Sequence, residues 1–484
     1  MSSAPTAASS GPRPVRFTRR STRGLILGFS TAHCVALAVA VPIFVAGFAQ
    51  NGFTGVALTS PGWGPLVASA FLRWKGRPFV EWLPVLSHWN VRSAVGQTEY
   101  RARVSAPRPN GTLALPGDAA PLRVYVDDSG VAMIHDPHRQ TLSASVRVTH
   151  PAYVLLGPDD KRRRVSQWGW LLAGLSRTGT CAAIQVLEQT VPDPGIGIAG
   201  WYDKHGTHRD DWANREYQML LAESARGTST HRTTVTLSLD MRRSAGEIRA
   251  RGRGVSAAAA VLRDDMTGLE HSLRSSELRV ERWLGPGDLA IMVRQAYDPT
   301  ADIRPDSPGA NLMHAGPLAV SEHWQWFRHD NGYSTVLWIS EWPRVDVLPD
   351  FLHALVFAPN VRKSLSIVAR PLGSADALRQ IRKERTSAIA DSRQKAKVGQ
   401  IADLADADEY ADLLTRERAV GAGHADVEFS GFLAISAESE QDLRAARSTI
   451  ERAAATSGCE TLVLSGRQTQ GFIVAALPFA RSVL

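Results

Sequence analysis

Hydrophobic and polar positions divide the chain into an apolar amino-terminal block and a long region of alternating patterns. From Gly24 to Leu72 there are 49 residues without Asp, Glu, Lys or Arg. A membrane-spanning helix needs about 20 predominantly apolar residues, so the block is long enough to cross a bilayer twice. The pattern predicts a two-helix transmembrane hairpin, with helices near 25–48 and 53–72 and a turn at 50–52.

Beyond a linker rich in Pro, Gly and Ala, strand-like and helix-like periods alternate in two similar stretches. Each stretch reads as β-α-β, a helical insert, then β-α-β. Turn residues mark a hairpin in each, Asp127-Asp128-Ser129-Gly130 in the first and Asp330-Asn331-Gly332 in the second. The order predicts an α+β soluble region of two ferredoxin-like split β-α-β units with helical inserts.

These patterns predict five segments along the chain. They are a basic cytoplasmic tail (1–23), the transmembrane hairpin (24–72), a juxtamembrane helix and linker (73–118), a first α+β unit (119–300) and a second α+β unit (301–484) with a helical insert at 374–420. Nine of the nineteen residues from Arg379 to Lys397 are charged, which predicts either a solvated helical hairpin or an arm that docks a partner. The acidic run that follows, Asp403 to Glu409, argues against direct nucleic-acid binding.

Charge adds a prediction of membrane topology. The net charge is +8, yet residues 1–105 contain eleven basic and only two acidic residues, so the basic excess belongs to one end of the chain. The topology-determining residues are Arg16, Arg19, Arg20 and Arg23 before the apolar block and Arg73, Lys75 and Arg77 after it. The positive-inside rule then predicts a two-pass protein of the cytoplasmic membrane with both termini in the cytoplasm. A cleaved signal peptide is the alternative, but it leaves the second apolar run unexplained.

The residues after the apolar block predict a short helix at the membrane surface. Phe79, Trp82, Leu86 and Trp89 fall roughly on one helical face, and aromatic side chains favour the headgroup level. This pattern predicts an interfacial helix on the inner leaflet, broken or kinked at Pro84. Docking of the same face onto the soluble region is an equally good interpretation.

No motif predicts a catalytic centre. The chain has no Gly-Lys pair, so the phosphate-binding loop of nucleotide hydrolases is missing. The string from Gly195 to Gly200 has the spacing GxGxxG, but prolines precede it and Trp201 to Gly206 reads as a loop instead of the helix that a dinucleotide site needs. We therefore predict no enzyme activity and no cofactor.

Histidines and cysteines give equally little support for a metal site. The HxxH pairs His135/His138 and His205/His208 lack the helix and glutamate of a zinc protease and are predicted in turns. The three cysteines are far apart, without the spacing of a zinc finger or a disulfide framework. The sequence predicts no bound metal.

Several stretches resemble known components of secretion machines. The basic tail, the membrane hairpin and the segment from Gly76 to Pro84 resemble the small PrgI-like membrane component of conjugative type IV secretion. The remainder resembles the amino-terminal, non-ATPase region of VirB-type conjugation ATPases, most visibly at Glu322 to Trp324, Trp338 to Val347 and Gln468 to Pro478. An actinobacterial family of integral membrane proteins that fuses the two regions is similar over nearly the full length.

The resemblance implies a scaffold instead of a motor. A member of that family is expected to be a membrane-anchored structural component of a type IV secretion-like (conjugal transfer) apparatus. The expected partners are the lipid bilayer, a separate conjugation-type ATPase and other membrane subunits of the complex, within which the chain would be oligomeric. Two other interpretations remain open: a type VII secretion membrane subunit, and a membrane-tethered enzyme that uses the loops around His205 and His208.

Overall fold

The computed structural model describes ten stretches of the chain. They are residues 31–74, 77–103, 109–149, 155–192, 196–206, 210–224, 229–298, 311–343, 347–397 and 404–482. Within them the chain forms two compact units. The larger contains residues 98–374 and 423–482, and the smaller contains residues 31–97 and 375–422.

The strands are short in the hairpins and long at the middle of each half of the chain. They are β1 (Arg73–Trp74), β2 (Arg77–Pro78), β3 (Glu99–Arg101), β4 (Arg123–Val126), β5 (Ala132–Asp136), β6 (Thr141–Thr149), β7 (Cys181–Pro192), β8 (Ser229–Asp240), β9 (Arg279–Trp283), β10 (Ala319–Glu322), β11 (Phe327–His329), β12 (Gly332–Glu341), β13 (Arg362–Leu372), β14 (Asp426–Ala437) and β15 (Glu460–Val463). Both predicted hairpins are confirmed, because β4 pairs with β5 and β11 pairs with β12.

Helices alternate with these strands. They are α1 (Thr31–Phe71), α2 (Phe79–Ala94), α3 (Pro158–Thr178), α4 (Ile196–His205), α5 (Trp212–Ser224), α6 (Ala245–Ala250), α7 (Gly254–Ser275), α8 (Pro286–Tyr297), α9 (His353–Val356), α10 (Ser374–Lys397), α11 (Leu404–Gly421), α12 (Glu440–Thr456) and α13 (Gln468–Ala476). Four of them, α4, α6, α8 and α13, have no counterpart in the pattern read from the sequence.

Thirteen strands of the larger unit form one antiparallel sheet. Its order is β3-β10-β11-β12-β14-β13-β7-β8-β6-β5-β4, with β15 also paired to β12 and β9 also paired to β6. The order within the first half, β4-β5-β6-β8-β7, repeats in the second half as β10-β11-β12-β14-β13. The two halves of the chain therefore have the same strand order, joined through the pair β7–β13.

The prediction of two ferredoxin-like units was wrong. β7 and β13 are hydrogen-bonded from the pair Thr190–Lys363 to the pair Ile184–Ala369, so the ladder continues across the boundary that separates the halves in sequence. The result is a single large antiparallel sheet with helices. Alternation of apolar and polar residues identifies strands but not their partners, which is why the sequence did not reveal this junction.

The predicted transmembrane hairpin of two helices also needs correction. The structure has one long apolar helix near the amino terminus, α1, which continues through the residues expected to form a turn. Only Asn51 and Gly52 depart from helical backbone geometry within it. The helix is sharply kinked at these two residues, where Gly52 has a φ of 58° and a ψ of −138°, a conformation that glycine adopts without steric cost.

Helices cover both faces of the large sheet. On one face, α7 packs on strands of the first half, and α3 packs on β7, β13 and β14 where the halves meet. On the same face, α9 and α12 cover strands of the second half, where Leu433 and Ile450 belong to one core. On the other face, α8 and α13 cover the middle of the sheet, and Phe432 and Phe472 belong to a second core. Neighbouring strand residues such as Phe432 and Leu433 enter different cores because side chains alternate across a strand.

The segment after α13 lies buried against polar side chains of the sheet. The fully buried Gln185 side chain donates to the carbonyls of Val474 and Leu477 at 3.1 and 3.0 Å and accepts from the amide of Ala480 at 2.7 Å. The Ser145 hydroxyl donates to the carbonyl of Pro478 at 2.9 Å. These side chains satisfy backbone groups that have no strand or helix partner, as burial requires.

Candidate functional site

The smaller unit contains a segment that is long and apolar enough to cross a membrane. Within Ala32–Phe71 the most apolar 18-residue stretch has a mean hydropathy of 2.2, and only 22% of that stretch is buried inside the protein. Phe53 and Leu58 are 86% and 76% exposed. An apolar helix of this length with its side chains facing outward fits lipid surroundings better than a protein core.

Close contacts surround the point where α1 departs from helical geometry. The Phe44 and Trp63 rings meet edge to face with their centroids 5.3 Å apart. A Cβ atom added at Gly55 would clash with the carbonyl group of Gly47. Small residues at such positions let backbone segments approach closely, as they do in membrane-embedded helices.

Strand pairing, hydrogen bonds and aromatic contacts connect the end of α1 to the start of α2. The short strands β1 and β2 pair Trp74 with Arg77, and the amide of Phe79 donates to the carbonyl of Leu72 at 2.7 Å. The indole Nε1 of Trp82 donates to the carbonyl of Trp74 at 3.1 Å, and the two indole rings are 4.8 Å apart. The chain therefore makes a tight, locally bonded connection between the apolar segment and the following helix.

The predicted membrane-interface residues are brought together on α2. Phe79, Trp82, Leu86 and Trp89 are each half-buried. The predicted break is wrong, because α2 runs without interruption from Phe79 to Ala94 with Pro84 inside it. Pro84 is the sixth residue of the helix, so it removes the hydrogen bond that an N–H at this position would donate to the carbonyl of Val80, and α2 continues despite that loss.

The predicted topology-determining residues lie mostly outside the described part of the chain. These are Arg16, Arg19, Arg20, Arg23 and Lys75. Arg73 is exposed in β1, and the backbone of Arg77 belongs to β2. The described residues thus place two of the basic residues directly after the apolar segment, on the two strands that lead to α2.

Most of the glycine-rich string, from Ile196 to Gly200, lies inside α4, and the loop predicted from Trp201 to Gly206 was wrong because this helix continues to His205. Gly195 itself lies outside the described residues. The strand after the helices α4 and α5 is β8, which runs antiparallel to β7. A dinucleotide site needs two parallel strands joined by the helix that receives the pyrophosphate, and this arrangement does not supply them.

The two HxxH pairs do not assemble into a common site in the described residues. His205 is exposed at the end of α4, where its Nδ1 lies 3.0 Å from the carbonyl of Trp201, and His208 lies outside the described residues. His135 is in β5 instead of a turn, and burial lowers its pKa. Across the described stretches, no three His, Cys, Asp or Glu side chains are grouped as metal ligands.

Two buried ionisable side chains of the larger unit, His329 and Arg481, are each held by specific polar partners. His329 is fully buried, with Nδ1 2.5 Å from the carbonyl of Tyr297 and Nε2 2.7 Å from the Ser334 hydroxyl, and burial lowers its pKa to about 4. Because a carbonyl can only accept, Nδ1 carries the proton and Nε2 accepts from Ser334. Arg481 forms a buried ion pair with Asp136, whose carboxylate oxygen is 3.0 Å from the Arg481 Nε.

Sequence reasoning missed a cationic cavity in the large sheet. Arg232, Arg362 and Lys363 line a cavity of about 30 Å³. Burial lowers the pKa of Arg362, and it lowers the pKa of Lys363 to about 8. The basic residues come from strands more than a hundred residues apart, so no local motif could have revealed them.

The comparisons with known proteins leave the family unassigned. No protein-family model matches the chain, and no curated protein matches it.

Proposed function

We propose that this protein is a membrane-anchored structural component of a type IV secretion-like (conjugal transfer) apparatus that works with a separate ATPase. The observation that carries the proposal is a long apolar helix followed along the chain, after β1, β2 and α2, by a larger folded unit built on one continuous sheet. The aromatic connection through Trp74 and Trp82 supports it, because it fixes the chain where it would leave the bilayer. The resemblance of the sequence to PrgI-like and VirB-type components supplies the identity of the machine.

The proposal also includes how the chain is oriented in the membrane. We place the protein in the cytoplasmic membrane with both termini in the cytoplasm, because basic residues flank the apolar segment on both sides. The departure from helical geometry at Asn51 and Gly52, together with the contact between Phe44 and Trp63, is compatible with a segment that enters and leaves the bilayer on one side.

Cysteine accessibility tests this topology in intact cells. The parent variant carries Ser in place of Cys34, Cys181 and Cys459, and single cysteines are then placed at the exposed residues Arg73 and Asn51. The proposal predicts that a membrane-impermeant maleimide labels Asn51→Cys in intact cells but labels Arg73→Cys only after permeabilisation. Labelling of Arg73→Cys in intact cells would contradict it.

The partnership with an ATPase is tested by co-purification. The tag belongs at the amino terminus, because the carboxy-terminal residues Arg481 and Ser482 are buried. After gentle detergent extraction from the native host, mass spectrometry should find a conjugation-type ATPase and further membrane subunits. Repeated recovery without any ATPase would overturn the proposal, and recovery with type VII components would move the protein to that machine.

A further inference from the structure

Four neighbouring strands present polar side chains to one small region above the sheet. Arg232 in β8 pairs with Gln189 in β7, and Gln189 pairs with Ser364 in β13. Arg362, two residues before Ser364, pairs with Ser436 in β14. Paired residues, and residues two apart on one strand, lie on the same face of a sheet, so these five side chains share a face.

Two helices close this region into a cavity. Residues of α8 and α13 complete the lining, and the cavity has a volume of about 30 Å³. The guanidinium groups are anchored at its edge, since Arg362 donates to the carbonyl of Gln295 at 2.9 Å and Arg232 donates to the Gln295 side-chain oxygen at 3.0 Å. Gln189 donates to the carbonyl of Ala476 at 3.2 Å.

The cavity is electropositive. Its described lining includes the side chains of Arg232 and Arg362 and no acidic residue. The Lys363 side chain lies on the opposite face of the sheet, because it alternates with Arg362 and Ser364 along β13. The two guanidinium groups are close enough for Arg232 to lower the pKa of Arg362, in addition to the larger effect of burial, while Asp298 and Glu438 act in the opposite direction from outside the lining. Lys363 donates to the carbonyl of Ala358 at 2.8 Å, and Glu188 opposes the lowering of its pKa by burial.

We propose that this cavity binds a single oxyanion group of phosphate size, held between the Arg232 and Arg362 guanidinium groups, with Gln189, Ser364 and Ser436 as polar neighbours. A guanidinium has five N–H donors in a planar fork that matches the oxygens of phosphate. Each arginine can therefore keep its bond to Gln295 while donating to an anion. An anion between them also offsets their mutual repulsion.

The volume of the cavity limits the size of the ligand that it can hold. About 10–15 Å³ is needed to hold one water molecule, so about 30 Å³ suits one small group and excludes a whole nucleotide. Arg232, Arg362, Gln189 and Gln295 are only half-buried, which gives an anion access from solvent. The phosphate group can come from inorganic phosphate or from the end of a larger phosphorylated molecule.

The test is calorimetric titration of the detergent-solubilised full chain with inorganic phosphate, at an ionic strength held constant with sodium chloride. We expect saturable binding by the wild type and at least a tenfold loss of affinity in Arg232→Gln. The matched control is Arg328→Gln, an exposed arginine on β11 of the same sheet, which should stay within twofold of the wild type. Equal affinities in all three proteins, or no heat beyond that of chloride, would overturn the proposal.

Further measurements keep the test independent of folding defects and identify the source of the anion. Both Arg232→Gln and Arg362→Gln lose a bond to Gln295 of α8, so their phosphate affinities are interpreted when their circular dichroism and thermal midpoints match those of Arg328→Gln. Titration with glycerol 3-phosphate distinguishes the sources: binding as tight as inorganic phosphate supports a terminal phosphate group, and binding of inorganic phosphate alone supports the free ion. Binding of either one that survives both substitutions contradicts the site.

Discussion

Arg481 and Asp136 form an ion pair that is removed from water, because their side chains are 6% and 3% exposed. The pair joins the end of the described chain to β5, and Arg139 in the same region donates to the carbonyl of Ser482 at 2.5 Å. Asp136 also accepts from the amides of His138 and Arg139 at 3.1 Å. A buried carboxylate with this many donors depends on each of them.

Removing the Arg481 charge should be strongly destabilising. We expect Arg481→Met to lower the free energy of unfolding by about 3 kcal/mol, because it leaves Asp136 buried without its main cation. Urea denaturation of the detergent-solubilised chain measures this. Arg452→Met is the control, since Arg452 is exposed on α12, and it should change the stability by less than about 0.5 kcal/mol. A loss no larger than that of the control would show that the pair does not anchor the segment.

His329 should make the fold sensitive to acid. Burial holds its folded pKa at about 4, below the ordinary value of 6.5, so the folded state favours the neutral ring. Its contribution is therefore complete above pH 6.5 and is lost as the pH falls towards 4, by about 3 kcal/mol in total. We expect the difference in stability between pH 7.5 and 4.5 to shrink in His329→Gln. The exposed His424→Gln is the control, and an unchanged difference in His329→Gln would contradict this role.

At the scale of elements, the periodicity of apolar residues predicts some of the helices and strands but not others. Strands such as β8 and β14 alternate visibly, and α7 and α12 repeat apolar residues at helical spacing, so both kinds could be predicted. α13 could not, because Gly471 to Ala476 is apolar all round and fully buried, a pattern that does not distinguish a helix from a strand. The second half of α4, from Trp201 to His205, was predicted as a loop because prolines and glycines precede these residues in the sequence.

The aromatic face of α2 gives a prediction that separates its two interpretations. A photo-crosslinking amino acid at Leu86, which is half-buried beside Trp82 and Trp89, should cross-link to phospholipid in native membranes if the face lies at the headgroup level. The same probe at exposed Asn90 is the matched control and should give markedly less lipid adduct. Protein adducts at Leu86 without lipid adducts would show that this face docks onto protein instead.

At the scale of the whole molecule, the repeated succession of strands and helices along the chain could be predicted from the sequence, but the pairing of the strands into one continuous sheet could not. The junction depends on hydrogen bonds between β7 and β13, whose residues lie nearly two hundred positions apart. The cationic cavity has the same origin, since Arg232 and Arg362 meet only through that junction. Long-range pairing of this kind leaves no local signature in a single sequence.

The continuous sheet predicts joint unfolding of the two halves. Because β7 and β13 share one ladder and one core, we expect the central amides of β8 and β14 to exchange hydrogen with similar opening free energies. Ser366→Pro in β13 should lower both values together, since it disrupts pairing with β7 and with β14. Hydrogen exchange followed by mass spectrometry measures this, and protection lost in the second half alone would argue for two independent units.

The central claim, that the chain is a membrane-anchored part of a larger assembly, is tested most directly by the mass of the particle it forms. Native mass spectrometry of the amino-terminally tagged protein, released from native membranes in mild detergent, should show a complex many times heavier than the 52.5 kDa chain, containing several copies of it and an ATPase. A single chain of 52.5 kDa, recovered reproducibly in detergents that preserve other membrane complexes of the host, would contradict the account.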